Sequence, residues 1–172
     1  MQASVNSLDA LLQNSDADSM EWADGGGAED AAEMMAILSE QDWLKLKSIS
    51  LNRDRNWRAC LASSLNPRQG EQAEHLLLTL ASDQDLEVAF LAVRGIAFYC
   101  GINDSMNGPF IDPKIRVSST HALAKATSGL ASRVRKVGSS CGPRFQRQFE
   151  LLAAELERAS GLRPTSASHV KR

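Results

Sequence analysis

Apolar residues recur at helical spacing along most of this chain, and short polar stretches separate the runs. Val5, Leu8, Leu11 and Leu12 predict a short helix over residues 5–13. The pattern is then lost from 14 to 27, a polar and acidic stretch ending in Asp24-Gly25-Gly26-Gly27 with Trp22 alone in it, which reads as a mobile linker or loop. A helix resumes over 28–39, with Glu29, Asp30 and Glu33 in its first turns and Met34, Met35, Ile37 and Leu38 on its apolar side.

From Ser39 the runs come in pairs. Ser39-Glu40-Gln41-Asp42 has the form of a capping box and starts a helix through Trp43, Leu44, Leu46 and Ile49. Asn52 or Asp54 caps the next, whose face is Trp57, Leu61, Ala62 and Leu65 and which Asn66-Pro67 stops. Residues 70–82 turn Ala73, Leu76, Leu77 and Leu80 inward. Asp83 or Asp85 then caps a helix striped by Val88, Leu91, Ala92, Ile96 and Tyr99. A long connection over 102–112 carries Asn107-Gly108-Pro109. Asp112 and Pro113 open a further helix, residues 130–137 read as a short turn, 138–142 as a loop, and Pro143 opens the last helix through Phe145, Phe149, Leu152, Ala153 and Leu156.

Three of these helix starts share a spelling. Asp54-Arg55-Asn56-Trp57-Arg58, Asp85-Leu86-Glu87-Val88-Ala89 and Asp112-Pro113-Lys114-Ile115-Arg116 lie 31 and 27 residues apart, a period that marks stacked helical units. The stretch from Leu76 through Asp83, Asp85 and Val88 to Ala92-Val93 and Gly95-Ile96 resembles a HEAT-type repeat: first helix, short acidic turn, second helix. Residues 54–65 and 112–123 resemble the same turn and second helix. The resemblance implies that Arg58 and Arg116 occupy the position whose arginine ladders to the aspartate of a neighbouring unit. It spans about residues 39–127 and departs from the family where Ala89 replaces the arginine, where the third unit lacks a clear first helix, and where the long connection spoils the period.

The fold class expected is all-α, a short irregular α-solenoid of HEAT-like antiparallel helix pairs, about seven to nine helices in all; the competing arrangement is a generic helical bundle. The expected organisation is an acidic segment of helices and flexible linker at 1–38, a HEAT-like domain at 39–160 and a disordered tail at 161–172.

Charge sharpens the picture. The chain is net -2, yet residues 1–50 hold ten acids against Lys45 and Lys47, whereas the remainder holds eleven acids against seventeen Lys or Arg. Cys60, Cys100 and Cys141 form no C-x-x-C pair, which fits a reducing, cytoplasmic setting, and no apolar run approaches a membrane span. His75, His121 and His169 lack metal-ligand spacing, Cys141 has no base placed beside it, and there is no phosphate-binding glycine motif. No catalytic residue, metal or cofactor is therefore expected. Arg133, Arg135, Lys136, Arg144 and Arg147 form a basic stretch suited to phosphates, which keeps a HEAT-like nucleic-acid or DNA-repair protein as the alternative, although the net acidity and scarcity of aromatics oppose it.

The remaining candidate is a protein-binding surface: Asp16, Asp18, Glu21, Asp24, Glu29, Asp30 and Glu33, with Trp22 as an aromatic anchor, suited to a basic partner. The function expected is a non-enzymatic module that sequesters a protein, most concretely a bacterial immunity protein neutralising a basic, nuclease-like toxin. A scaffold or chaperone subunit is the third class.

Overall fold

A computed structural model describes residues 4–66, 69–99, 102–103, 110–111, 129, 131–132, 134–136, 138–139 and 143–159. These residues are helical apart from loops and one two-residue ladder, and the chain forms two compact units, Met1–Tyr99 and Cys100–Arg172.

The first unit holds α1 (Val5–Asn14), α2 (Met20–Ala23), α3 (Gly27–Ala36), α4 (Glu40–Ser50), α5 (Arg55–Ser64), α6 (Glu71–Leu80) and α7 (Leu86–Tyr99). Most starts are fixed by a side-chain oxygen that accepts an otherwise orphaned backbone N–H. Ser4 caps α1, Ser19 caps α2, Asp54 caps α5, and the predicted capping box of Ser39 and Asp42 is complete at α4. At α7 the two candidate aspartates divide the work. Asp85 Oδ1 accepts from the N–H groups of Glu87 and Val88, while Asp83 Oδ1 accepts from Asp85 N. The helices α3 and α6 instead begin after Gly26 and Gly70, whose φ angles of 93° and 114° favour glycine.

At the centre of this unit lies α5. Trp57, Ala59, Cys60, Leu61 and Ala62 are all buried, so the helix is enclosed nearly all round, and its small residues let α1, α3, α6 and α7 approach it. Leu8 and Leu12, Met35, Leu76, Leu77 and Leu80, and Val88 and Ile96 supply the facing side chains. Arg58 spans to the turn before α7, donating from Nε to Asp83 Oδ2 at 2.7 Å and from a second nitrogen to Oδ1 at 3.1 Å.

The expected boundary near residue 38 is not present. Trp57 Nε1 donates to Asp9 at 3.0 Å, Arg53 pairs with the same carboxylate, Lys45 reaches Asn6 at 2.7 Å, and Gln69 donates to the Ala32 carbonyl at 2.9 Å. These bonds and the shared core make α1–α3 part of one unit with α4–α7, because the apolar stripes of α1 and α3 need α5 to cover them.

The caps give the unit a pH dependence. The Ser39 hydroxyl, then backbone N–H groups of Val5 and Ser39, hold the Asp42 carboxyl below its ordinary 3.8, and the Trp57 N–H, then Gln13, do the same for Asp54. A carboxyl whose folded pKa lies below its unfolded value stabilises the fold above that unfolded value and loses the contribution as pH falls through the folded one. Asn caps a helix as well as Asp but carries no charge to meet the helix dipole. Asp54→Asn is therefore expected to lower stability by about 0.5 kcal/mol at pH 7. In urea titrations of both chains the gap should close below pH about 3.8 as Asp54 itself protonates. A gap that persists at pH 2 contradicts this assignment.

In the second unit an antiparallel ladder pairs β1 (Ile102–Asn103) with β2 (Phe110–Ile111). Backbone at 129, 131–132, 134–136 and 138–139 is helical, and α8 (Pro143–Ala159) follows. The turn and loop expected over 130–142 are thus replaced by helix at those positions. Ala131, Val134, Phe149, Leu152 and Ala153 are buried, and a Cβ at Gly138 would meet that of Phe149 at 2.5 Å, so glycine admits the close packing here. The third HEAT-like helix from Asp112 with Arg116, and the tail at 161–172, lie outside the described residues.

Candidate functional site

Between α1 and α3 the chain that reads as a mobile linker is a folded corner fastened to α5. Asn56 uses both ends of its side-chain amide, donating from Nδ2 to the Ser15 carbonyl at 2.6 Å and accepting Ala17 N at 3.0 Å. Asp16 Oδ1 accepts Asp18 N, and Ser19 caps the single turn of α2 by accepting Trp22 N at 3.0 Å. Gly25 and Gly27 permit the return into α3: a Cβ at Gly25 would lie 2.5 Å from the Glu21 carbonyl, and one at Gly27 would lie 2.8 Å from the Trp22 ring.

This geometry corrects the reading of Trp22. The side chain is 3% exposed, lies against Gly27, and donates its indole N–H to Ser63 Oγ at 2.8 Å. An aromatic that is buried with its polar end satisfied offers no free anchor to a partner. Trp22 positions the surface from beneath.

The seven carboxylates behave differently. Asp16, Asp18, Glu21, Asp24, Glu29, Asp30 and Glu33 are all exposed. Asp16, Glu21 and Asp30 share a cleft of about 370 Å³ with Leu11, Asn14, Ser19 and the edge of Trp22; the other four do not line it. Asp18 faces Arg55 at 3.6 Å, and Arg55 also contacts Asp85 and Glu87. The first Lys or Arg in the chain is Lys45, so the charged side chains of residues 1–44 are carboxylates alone. An array of this kind accepts charge-assisted hydrogen bonds from Lys or Arg and raises the local concentration of cationic partners. Met20, 78% exposed among these acids, is an apolar contact that helical periodicity does not single out, because α2 is only four residues long.

No family model, curated protein or solved structure matches this chain. The chemistry of the site therefore rests on its residues. Among the described residues no group of His, Cys, Asp and Glu is arranged to hold a metal ion, and no helix is long and apolar enough to cross a membrane. His75 is exposed, 3.9 Å from Glu71 on the same helix. Cys60 is wholly buried, and burial, with the nearby carboxylates of Asp16, Asp54 and Asp18, pushes its thiol up to about 12. That is the opposite of what a nucleophile requires. Cys100, Cys141, His121 and His169 lie outside the described residues.

The rival basic stretch is partly spent internally. Arg135 donates from Nε to Glu150 at 2.8 Å and from a terminal nitrogen to Glu157 Oε2 at 2.9 Å, and these hydrogen bonds to the two carboxylates, Glu157 foremost, raise its pKa further. Its partner Glu157 is 6% exposed. Lys136 and Arg147 are exposed, whereas Arg133 and the side chain of Arg144 lie outside the described residues.

Proposed function

We propose that this chain is a non-enzymatic protein-binding module that sequesters a basic partner through the exposed carboxylates of residues 16–33. The observation that carries the reading is the display of seven exposed carboxylates, with no Lys or Arg in residues 1–44: Asp16, Asp18, Glu21 and Asp24 on a corner fastened to α5 by Asn56 and Ser63, and Glu29, Asp30 and Glu33 on the adjoining α3. Fixed charge forfeits less entropy on binding than charge on a loose tail, and it steers a cationic partner during encounter. In its most concrete form the chain is a cytoplasmic bacterial immunity protein and the partner a toxin whose nucleic-acid site is positively charged. Occupying such a site with carboxylates blocks substrate by competition for the same cations.

A HEAT-like array is the architecture we propose for the support. The aspartate caps at Asp54 and Asp85, and the reach of Arg58 from one helix pair to the acidic turn of the next, favour it. The alternative, a HEAT-like nucleic-acid or repair protein, draws on Lys136 and Arg147 but loses Arg135 to Glu150 and Glu157.

The test is affinity capture from the source cell's lysate with the full chain at low and moderate salt. A stoichiometric basic protein retained at low salt is expected. Recovery of nucleic acid without protein overturns the reading in favour of the basic stretch.

A further inference from the structure

On a helix, positions i, i+4 and i+7 line one face. Asn56, Cys60 and Ser63 are such a stripe on α5, and the segment after α1 is fastened to both of its ends: Ser15 and Ala17 to Asn56, and the Trp22 indole to Ser63. Cys60, between the two fasteners, is wholly buried.

The hold on this segment is thin. Of residues 13–30, all of them described, only Trp22 is buried. The four residues of α2 are too few to persist as a helix without tertiary support. Asp16, Asp18, Glu21 and Asp24 repel one another, with Arg55 beside Asp18 as their nearby counter-charge. Segments with few buried contacts open locally at lower free energy than the whole domain. Screening of like charges favours the closed form.

We propose that residues 15–27 form a strap over the Asn56–Cys60–Ser63 stripe, opening as a unit ahead of the rest of the first unit and held shut by cations. Trp22 is its latch. Opening bares Cys60, the buried member of the stripe, so that anything neutralising the strap's carboxylates closes the gate. The inference is independent of the proposed partner.

The experiment labels Cys60 with uncharged iodoacetamide in the full chain carrying Cys100→Ser and Cys141→Ser. Labelling at least tenfold faster than global unfolding allows, with little dependence on urea at low urea, is expected. Spermidine, or raising salt to about 0.3 M, should slow it several-fold, and Ser63→Ala or Asn56→Ala should speed it several-fold with far-UV circular dichroism unchanged. Labelling that follows global unfolding with the same urea slope overturns the proposal, as does a rate indifferent to Ser63→Ala and Asn56→Ala. A rate that rises with salt overturns the cation gate. Amide exchange of Trp22, Ala23 and Asp24 in the unsubstituted chain provides the second measurement: a shared opening below the global one supports the strap, and exchange only by global unfolding refutes it.

Discussion

Replacing Arg58 by methionine is expected to destabilise the first unit by about 3 kcal/mol, a large part of the total stability of a domain this size. The guanidinium holds Asp83 through two hydrogen bonds, and the Asp83 side chain is only 5% exposed. Methionine keeps most of the aliphatic stem but leaves that carboxylate with the Asp85 N–H as its remaining partner within the turn. Removing one member of a buried pair strands the other's charge, which costs more than the pair contributed. Adding Asp83→Asn to Arg58→Met should therefore recover much of the loss, and Arg58→Lys should fall between, because an ammonium cannot match the two-point geometry. Urea unfolding of the four chains followed by circular dichroism measures this. A loss below about 1 kcal/mol, the level of an exposed pair, would mean that the Arg58–Asp83 contact does not tie the helix pairs together.

The second large effect concerns binding. Reversing Glu29, Asp30 and Glu33 to lysine changes the charge of the first unit by six without touching a buried side chain, since all three are exposed on α3. Rim charges act mainly on encounter, and steering by a whole charged face is worth on the order of 10- to 1000-fold in association rate. Affinity for the captured partner should fall about 10- to 100-fold at low salt, with the helical circular dichroism signal retained. Unchanged affinity with an intact fold would remove α3 from the interface.

Much of the helical framework was legible in the chain because its signals are local. Ser39 with Asp42, and Asp54 ahead of Trp57, announce helix starts through oxygens three residues from the N–H they accept. The stripes of α5 and α6 follow from apolar spacing alone. What escaped depends on distance in sequence. Trp22 in a stretch without periodicity reads as loop, since its partner Ser63 lies 41 residues away and α2 is a single turn. The choice between Asp83 and Asp85 as cap stays open until Arg58, 25 residues upstream of Asp83, claims one of them. Gly138 and its neighbours carry loop-forming residues, yet packing against Phe149 makes the site helical, as tertiary context overrides weak propensity. In the candidate surface the carboxylates were legible as a run of charge, while the inward turn of Trp22 and the fastening by Asn56 were not, because burial and long-range hydrogen bonds leave no periodic trace.

The most direct test of the central claim, that a fixed carboxylate face captures a basic protein, is the association rate of the wild-type chain with its captured partner across a series of salt concentrations. A rate that falls steeply as salt rises, with dissociation changing little, is the predicted result. An association rate indifferent to salt would contradict it, because a surface of seven exposed carboxylates cannot steer a cationic partner without that dependence.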